Sequence, residues 1–244
     1  MKKDPIHKTL IIVPAYNEEF SIVCLIKEVK ESYPNCDILV INDASIDNTA
    51  ELAYQTKMCD VLDLPFNLGI GGAVQAGFKY AYNHNYQIAV QIDGDGQHVP
   101  AFIPRLIKLI ELGKADVVIG TRFNKSVNRD GFQSTFIRRL GIRLFSYVSY
   151  MLIGQRISDC TSGFRAYNKK AILFLSNNYP TDYPEPEAVI LLGKNKFILK
   201  EVHVKMRERN GGKSSITKRS VFYMIKVLLA MLMTSIRPKI TKHD

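Results

Sequence analysis

Residues 88–98 read Ile-Ala-Val-Gln-Ile-Asp-Gly-Asp-Gly-Gln-His. Asp93 and Asp95 stand one residue apart, separated and followed by glycine, directly behind an apolar, β-branched run from Ile88 to Ile92. Such a run reads as a buried strand. Two clustered carboxylates repel unless a cation lies between them, and oxygen ligands on a turn suit Mg²⁺ or Mn²⁺. Taken alone, the same stretch is equally a solvated Asp-Gly turn. Other chemistry-bearing residues fall in similar places. Asn17-Glu18, Asn42-Asp43, Asn67 and Arg122 each follow an apolar run.

The elements that must position these groups are legible from periodicity. Strands are predicted at Thr9–Val13, Asp37–Ile41, Met58–Leu64, Ile88–Ile92 and Ala115–Ile119, and helical spacing falls at Ser21–Lys30, at Pro100–Leu112 and from Gly69 to about Tyr82. The polar cluster Asn42–Thr49 supplies turns and an N-cap for a further helix through Thr56. Strands alternating with helices of this length indicate an α/β fold: a doubly wound, mostly parallel sheet with helices on both faces. Ligands bind such sheets at the carboxyl ends of the strands. Five polar strand ends on one edge therefore make a site by geometry. Gly69-Ile-Gly71-Gly72 lacks the last small residue of a dinucleotide fingerprint and follows the third strand, which argues against a nicotinamide oxidoreductase. The same glycines, with Asn67 before them, suit a phosphate or sugar close to a helix N-terminus.

Charge divides the chain. Residues 1–119 carry 10 Lys/Arg against 15 Asp/Glu and residues 120–244 carry 23 against 8, so the net charge of +10 splits into −5 and +15. The second half thus faces something anionic, or presents a solvated basic face. Nucleic acid is not the expected partner, because the basic residues come without aromatic interleaving or a reader motif. A helix is predicted over Ser134–Ile153, followed by the polar loop Ile157–Arg165, a helix opened by Tyr183-Pro-Glu-Pro-Glu187, and a strand at Phe197–Val204. Arg207-Glu-Arg209-Asn-Gly-Gly-Lys213 combines backbone amides, Arg and Lys into a diphosphate clamp. Val221–Ile236 is apolar almost throughout, but its 16 residues span about 24 Å as a helix, short of the ~30 Å hydrocarbon core. Flanked by Lys218, Arg219, Arg237 and Lys239, it is read as lying in a membrane interface, with a core helix or a homo-oligomer interface as the alternatives. Cys24, Cys36, Cys59 and Cys160 show no metal spacing and fit reduced cytosolic thiols, and the N-terminus reads as a strand and not a signal peptide.

In order, VPAYNEE, INDASIDNT, NLGIGGAVQAGF, QIDGDGQH, IGTRF, SDCTSGFRAY and RERNGGKSS resemble the family 2 glycosyltransferases of GT-A fold. The resemblance runs from about Ile11 to Ile216 and points to the dolichol-phosphate-mannose synthase and bacterial polyprenyl-phosphate glycosyltransferase branch. It implies a domain over residues 1–216, with a nucleotide-binding half (1–122) and an acceptor-binding half (123–216), followed by a C-terminal helix (217–244). It implies a nucleotide pocket lined by Pro14, Ala15, Tyr16, Asn17 and Glu18, with Asp43 on the base or ribose, and Asn67 and Gly71 beside it. Asp93, Asp95 and Gln97 would hold Mg²⁺ or Mn²⁺ on the diphosphate. Arg122, Arg207, Arg209 and Lys213 would bind phosphate, and Arg138 or Arg139, with Ser162 and Gly163, would meet the acceptor. The implied reaction is an inverting transfer from a nucleotide-sugar, UDP-glucose or UDP-N-acetylglucosamine, to a polyprenyl phosphate on the cytoplasmic face of the cell membrane. If the acceptor were instead a hydroxyl of a lipid-linked cell-wall or capsular glycan, a base would be needed, with Asp159 or Glu187 as candidates. Many members of that branch carry further transmembrane helices. The sequence as given shows none, so peripheral attachment through the two apolar helices, or through a partner protein, is expected.

Overall fold

The strand-forming runs read as apolar blocks because both faces of the sheet are covered. The structure is a computed structural model that describes residues 8–122, 136–207 and 220–238, with side chains in the first and last long helices of the second half described from Leu144 and Met224 onward. Among the described residues, seven strands form one sheet: β1 (Thr9–Ala15), β2 (Asp37–Asn42), β3 (Asp60–Asp63), β4 (Ile88–Gln91), β5 (Val117–Thr121), β6 (Arg165–Asn168) and β7 (Leu199–His203). Their order is β3-β2-β1-β4-β6-β5-β7. All neighbours are parallel except β6, which runs antiparallel to both β4 and β5.

The helices are α1 (Ile22–Ser32), α2 (Thr49–Gln55), α3 (Gly69–Asn83), α4 (Ile103–Glu111), α5 (Phe136–Ile153), α6 (Lys169–Asn178), α7 (Pro184–Lys194) and α8 (Ser220–Ile236). One core joins α1 and α4 to one face of the sheet through Ile22, Ile26, Leu106 and Ile107. The other joins α3, α6 and α7 to the opposite face, with Phe78 edge-on to Tyr167 at 4.8 Å. Helices α5 and α8 pack on each other and on α7.

Two local differences from the sequence expectation have physical causes. β1 continues through Pro14 to Ala15, where proline was expected to close it. Its partner β4 ends at Gln91 opposite Ile12, so residue 14 lies beyond the last regular rung, where Pro14 still accepts the Gly94 amide through its carbonyl. Helix α6 was not predicted. It is started by Asn168, whose side chain accepts a hydrogen bond from the Ala171 amide at 2.9 Å, with Ile172 and Leu175 buried one turn apart.

Candidate functional site

Each polar strand end is stitched to its neighbour, so the edge forms one surface. The Asn17 backbone, at φ 56°, takes the left-handed form and donates its N–H to Ser45 Oγ, while Asn17 Oδ1 accepts from the Ile46 amide. The Glu18 amide donates to Thr49 Oγ1 at 2.8 Å. Ser21 Oγ donates to the Gly94 carbonyl at 2.7 Å, fastening the loop after β1 to the Asp-Gly-Asp turn. Tyr16 stays about half exposed above this junction.

Asp43 is buried, and its Oδ1 accepts from the Leu68 amide at 2.7 Å, while Asn67 donates to the Asp43 carbonyl and accepts from the Gly69 amide. These two residues therefore occupy amides at the start of α3. Gly71 is used differently from a phosphate cradle in this structure. A Cβ there would lie 2.7 Å from the Pro180 carbonyl, so its missing side chain admits the 180–181 backbone.

At the centre, Asp93 Oδ1 is buried with no hydrogen-bond partner, and Asp95 Oδ1 accepts from the Gln97 amide. Burial and the Asp95 carboxylate push the Asp93 carboxyl up to about 7, although its side chain keeps 34% exposure, which tempers the burial effect. His98 stacks on Phe164, and its Nδ1 lies 3.7 Å from Asp93 Oδ2. That contact is not an ion pair. Nδ1 accepts the Asp93 amide, and burial holds the imidazole down at about 4, so the ring is neutral. An unpartnered carboxylate oxygen beside a second acid, with no protonated histidine to balance them, suits a hard cation with oxygen ligands. Among the described residues, no group of three or more His, Cys, Asp or Glu is already gathered as a cage. Asp93, Asp95 and the Gln97 amide oxygen are a fitting partial set, leaving positions for other oxygens.

The opposite wall comes from the loop between α5 and β6. Asp159 receives Arg122 in a two-pronged pair, Nε to Oδ2 and Nη2 to Oδ1, both 2.8 Å, and Arg122 also donates to Thr161. Glu201 on β7 holds the base of this loop by accepting from the Ser158 and Asp159 amides. Gly163 abuts Asp93: a Cβ would stand 2.7 Å from each carboxylate oxygen. Ser162 is buried, its hydroxyl accepting from the Phe164 amide. Glu187 accepts from the Tyr183 amide and from Thr234 of α8. Arg207 is bonded through its amide to the Gln97 carbonyl, while its guanidinium pairs with Glu28 of α1 at 2.8 Å. Arg209, Lys213 and the side chains of Arg138 and Arg139 lie outside the described residues.

Four residues at this site were not singled out from the sequence: His98, Arg165, Glu185 and Glu201. Glu185 opens α7, and burial, reinforced by Asp93, pushes its carboxyl up to about 7 against the opposing pull of Arg165. The local signal was the Pro-Glu-Pro-Glu run itself, which places both glutamates in the first turn of α7.

The family profile described as glycosyl transferase family 2 matches residues 10–174. The chain belongs to that family. Polyprenol monophosphomannose synthase of Mycolicibacterium smegmatis is 32% identical over 174 residues, 69% of this chain and 64% of that one, so the chain spans a little under two-thirds of that relative. A UDP-N-acetylglucosamine–dolichyl-phosphate N-acetylglucosaminyltransferase of Methanococcus voltae is 31% identical over 214 residues, 80% of this chain and 84% of the other. Glucosyl-3-phosphoglycerate synthase from Mycobacterium tuberculosis, solved with Mn²⁺, uridine diphosphate and phosphoglyceric acid, superposes with a TM-score of 0.68 at 17% identity, covering 95% of this chain and 80% of that one. The last match concerns the fold alone. It is the GT-A arrangement that the motifs implied.

Proposed function

We propose that this glycosyltransferase moves a sugar, with inversion, from a nucleotide-sugar to a polyprenyl phosphate at the cytosolic face of a membrane. The observation that carries the reading is the Asp93–Asp95–Gln97 turn, with its unpartnered carboxylate oxygen, at the carboxyl edge of β4. Family membership and relatives named for polyprenol and dolichyl-phosphate acceptors support it. A UDP-sugar, UDP-glucose or UDP-N-acetylglucosamine, is the proposed donor.

Asp93, Asp95 and Gln97 would hold Mg²⁺ or Mn²⁺, which supplies positive charge to the departing nucleoside diphosphate. The Pro14–Glu18 segment and Asp43 form the nucleotide side, with Tyr16 exposed for the base. Arg122, fixed by Asp159 in one orientation, adds a preorganised cation next to the leaving group, and Arg207 stands at the rim on the Gln97 carbonyl. A phosphate acceptor arrives already ionised near pH 7, so no residue need take its proton. A hydroxyl acceptor would need a base. Asp159 is occupied by Arg122, and Glu187 by the Tyr183 amide and Thr234, which favours the phosphate.

Attachment would use the face shared by α5 and α8. Leu144, Tyr147 and Met151 on α5, and Ile225, Leu229, Leu232, Met233 and Ile236 on α8, are large, apolar and exposed at helical spacing. No helix among the described residues is long and apolar enough to cross a membrane. The test is a donor screen with Mn²⁺ and a short polyprenyl phosphate, reading glycolipid by mass spectrometry. No glycolipid with any common donor sinks the lipid-phosphate reading. With Asp159 and Glu187 occupied, we take Glu185, whose carboxyl burial pushes up to about 7, as the base that a hydroxyl acceptor would use. Glu185→Gln then separates the acceptors: turnover retained on the lipid phosphate supports it, while abolished turnover points to a base and a hydroxyl.

A further inference from the structure

Arg165 on β6 is the largest fully buried side chain of the described protein, at 0% exposure. Its guanidinium is always charged, and a buried charge is costly unless paired. Among the described residues no carboxylate lies within ion-pair distance of it. It donates instead to three backbone carbonyls: Nε to Ser162 at 2.7 Å, and Nη2 to Cys160 at 2.8 Å and to Glu185 at 3.0 Å. Nη1 has no partner. An apolar residue of similar volume would serve packing at less cost, so packing alone does not account for it.

The three carbonyls share a position. Cys160 and Ser162 lie on the loop that sets Gly163 against Asp93 and Asp159 against Arg122, and Glu185 opens α7. Arg165 itself stands opposite Gln91, two residues before Asp93. One guanidinium thus ties the antiparallel strand, the acceptor-side loop and the first turn of α7 to the sheet position beneath the metal-side carboxylate.

We infer that Arg165 is a positioning residue of the transferase, holding the Cys160–Gly163 loop and the start of α7 in fixed register with Asp93. It touches neither substrate nor metal. The inference rests on the function proposed above, and its test has a readout independent of turnover. Arg165→Lys keeps the charge but loses the fork that reaches three carbonyls, and Arg165→Met removes both. Each variant is followed by thermal melting, by Mn²⁺ titration in the presence of UDP using electron paramagnetic resonance, and by steady-state kinetics. Both are expected to melt cooperatively, to bind Mn²⁺ at least ten-fold more weakly, and to lose about 10²-fold in kcat, as for misplacement by about 1 Å. Wild-type Mn²⁺ affinity in Arg165→Lys overturns the assignment. Loss of cooperative melting in both variants also overturns it, because Arg165 would then be a residue of the fold. If the wild-type chain makes no product with any donor, the proposed reaction fails, yet the Mn²⁺ titrations still decide the role of Arg165.

Discussion

Gly163→Ala puts a single methyl group against the acid on which the metal reading depends. The added carbon would stand 2.7 Å from both Asp93 oxygens, where ordinary contact begins at 3.4 Å, so the carboxylate must retreat by about 0.7 Å. Its backbone cannot follow. The Asp93 amide is held by His98 Nδ1, and the Gly94 amide by the Pro14 carbonyl at 3.2 Å. The strain therefore falls on the Asp93 torsions, and overpacking of this kind costs about 1–3 kcal/mol. If cation binding bears that cost, Mn²⁺ affinity falls roughly 5- to 140-fold, at 1.4 kcal/mol for each factor of ten. If the fold bears it, the melting temperature drops by about 2–4 °C per kcal/mol for a chain of this size. Mn²⁺ titration with UDP and differential scanning fluorimetry on one preparation distinguish the two. Wild-type affinity together with an unchanged melting temperature would refute the placement of Gly163 against Asp93.

Three further outcomes are expected. Asp93 and Glu185, both pushed up to about 7, retain protons in the folded state that the unfolded chain releases near 4, while His98, held down at about 4, works oppositely below about 6.5. Two groups against one, the melting temperature in EDTA falls from pH 5 to 7.5, and saturating Mn²⁺ restores it at the upper end; a flat or rising profile contradicts these assignments. Glu28→Gln frees the half-exposed Arg207 at a stability cost below about 1 kcal/mol and lowers the KM for the donor; an unchanged KM removes Arg207 from diphosphate binding. Thr234→Val leaves Glu187 Oε2 without the bond it accepts across the α7–α8 contact, costing about 1–3 kcal/mol in melting experiments, whereas no change would mean that α8 does not rest on the catalytic body in solution.

The nucleotide-side edge was legible because each of its strands carries its own signal: an apolar run, then Asn, Asp or Gly. Asp93, Asp95 and Gln97 announce themselves by type and spacing within five residues. What the sequence concealed depends on contacts between distant segments. Asp159 and Glu187 read as free acids, yet one is consumed by Arg122 and the other by α8. Gly71 reads as a ligand glycine, and its neighbour proves to be the Pro180–Thr181 backbone, more than a hundred positions away. Arg165 sits in a four-residue strand whose pattern resembles a surface segment, and only the antiparallel pairing with β4 and β5 shows that it is enclosed.

That antiparallel strand also shapes how the chain reaches its final form. Among the described strands, β5 hydrogen-bonds with β6 and β7 alone, so a fragment ending at Arg122 would carry a strand with none of these neighbours. On the ribosome, the edge of β4 must wait for about seventy further residues before β6 arrives. At the usual pace of synthesis that is on the order of 4–15 s with an open, apolar strand edge available to other chains. Slower translation across residues 92–165, or the absence of chaperones, should therefore show first as aggregation of nascent protein, before any loss of activity in the molecules that finish.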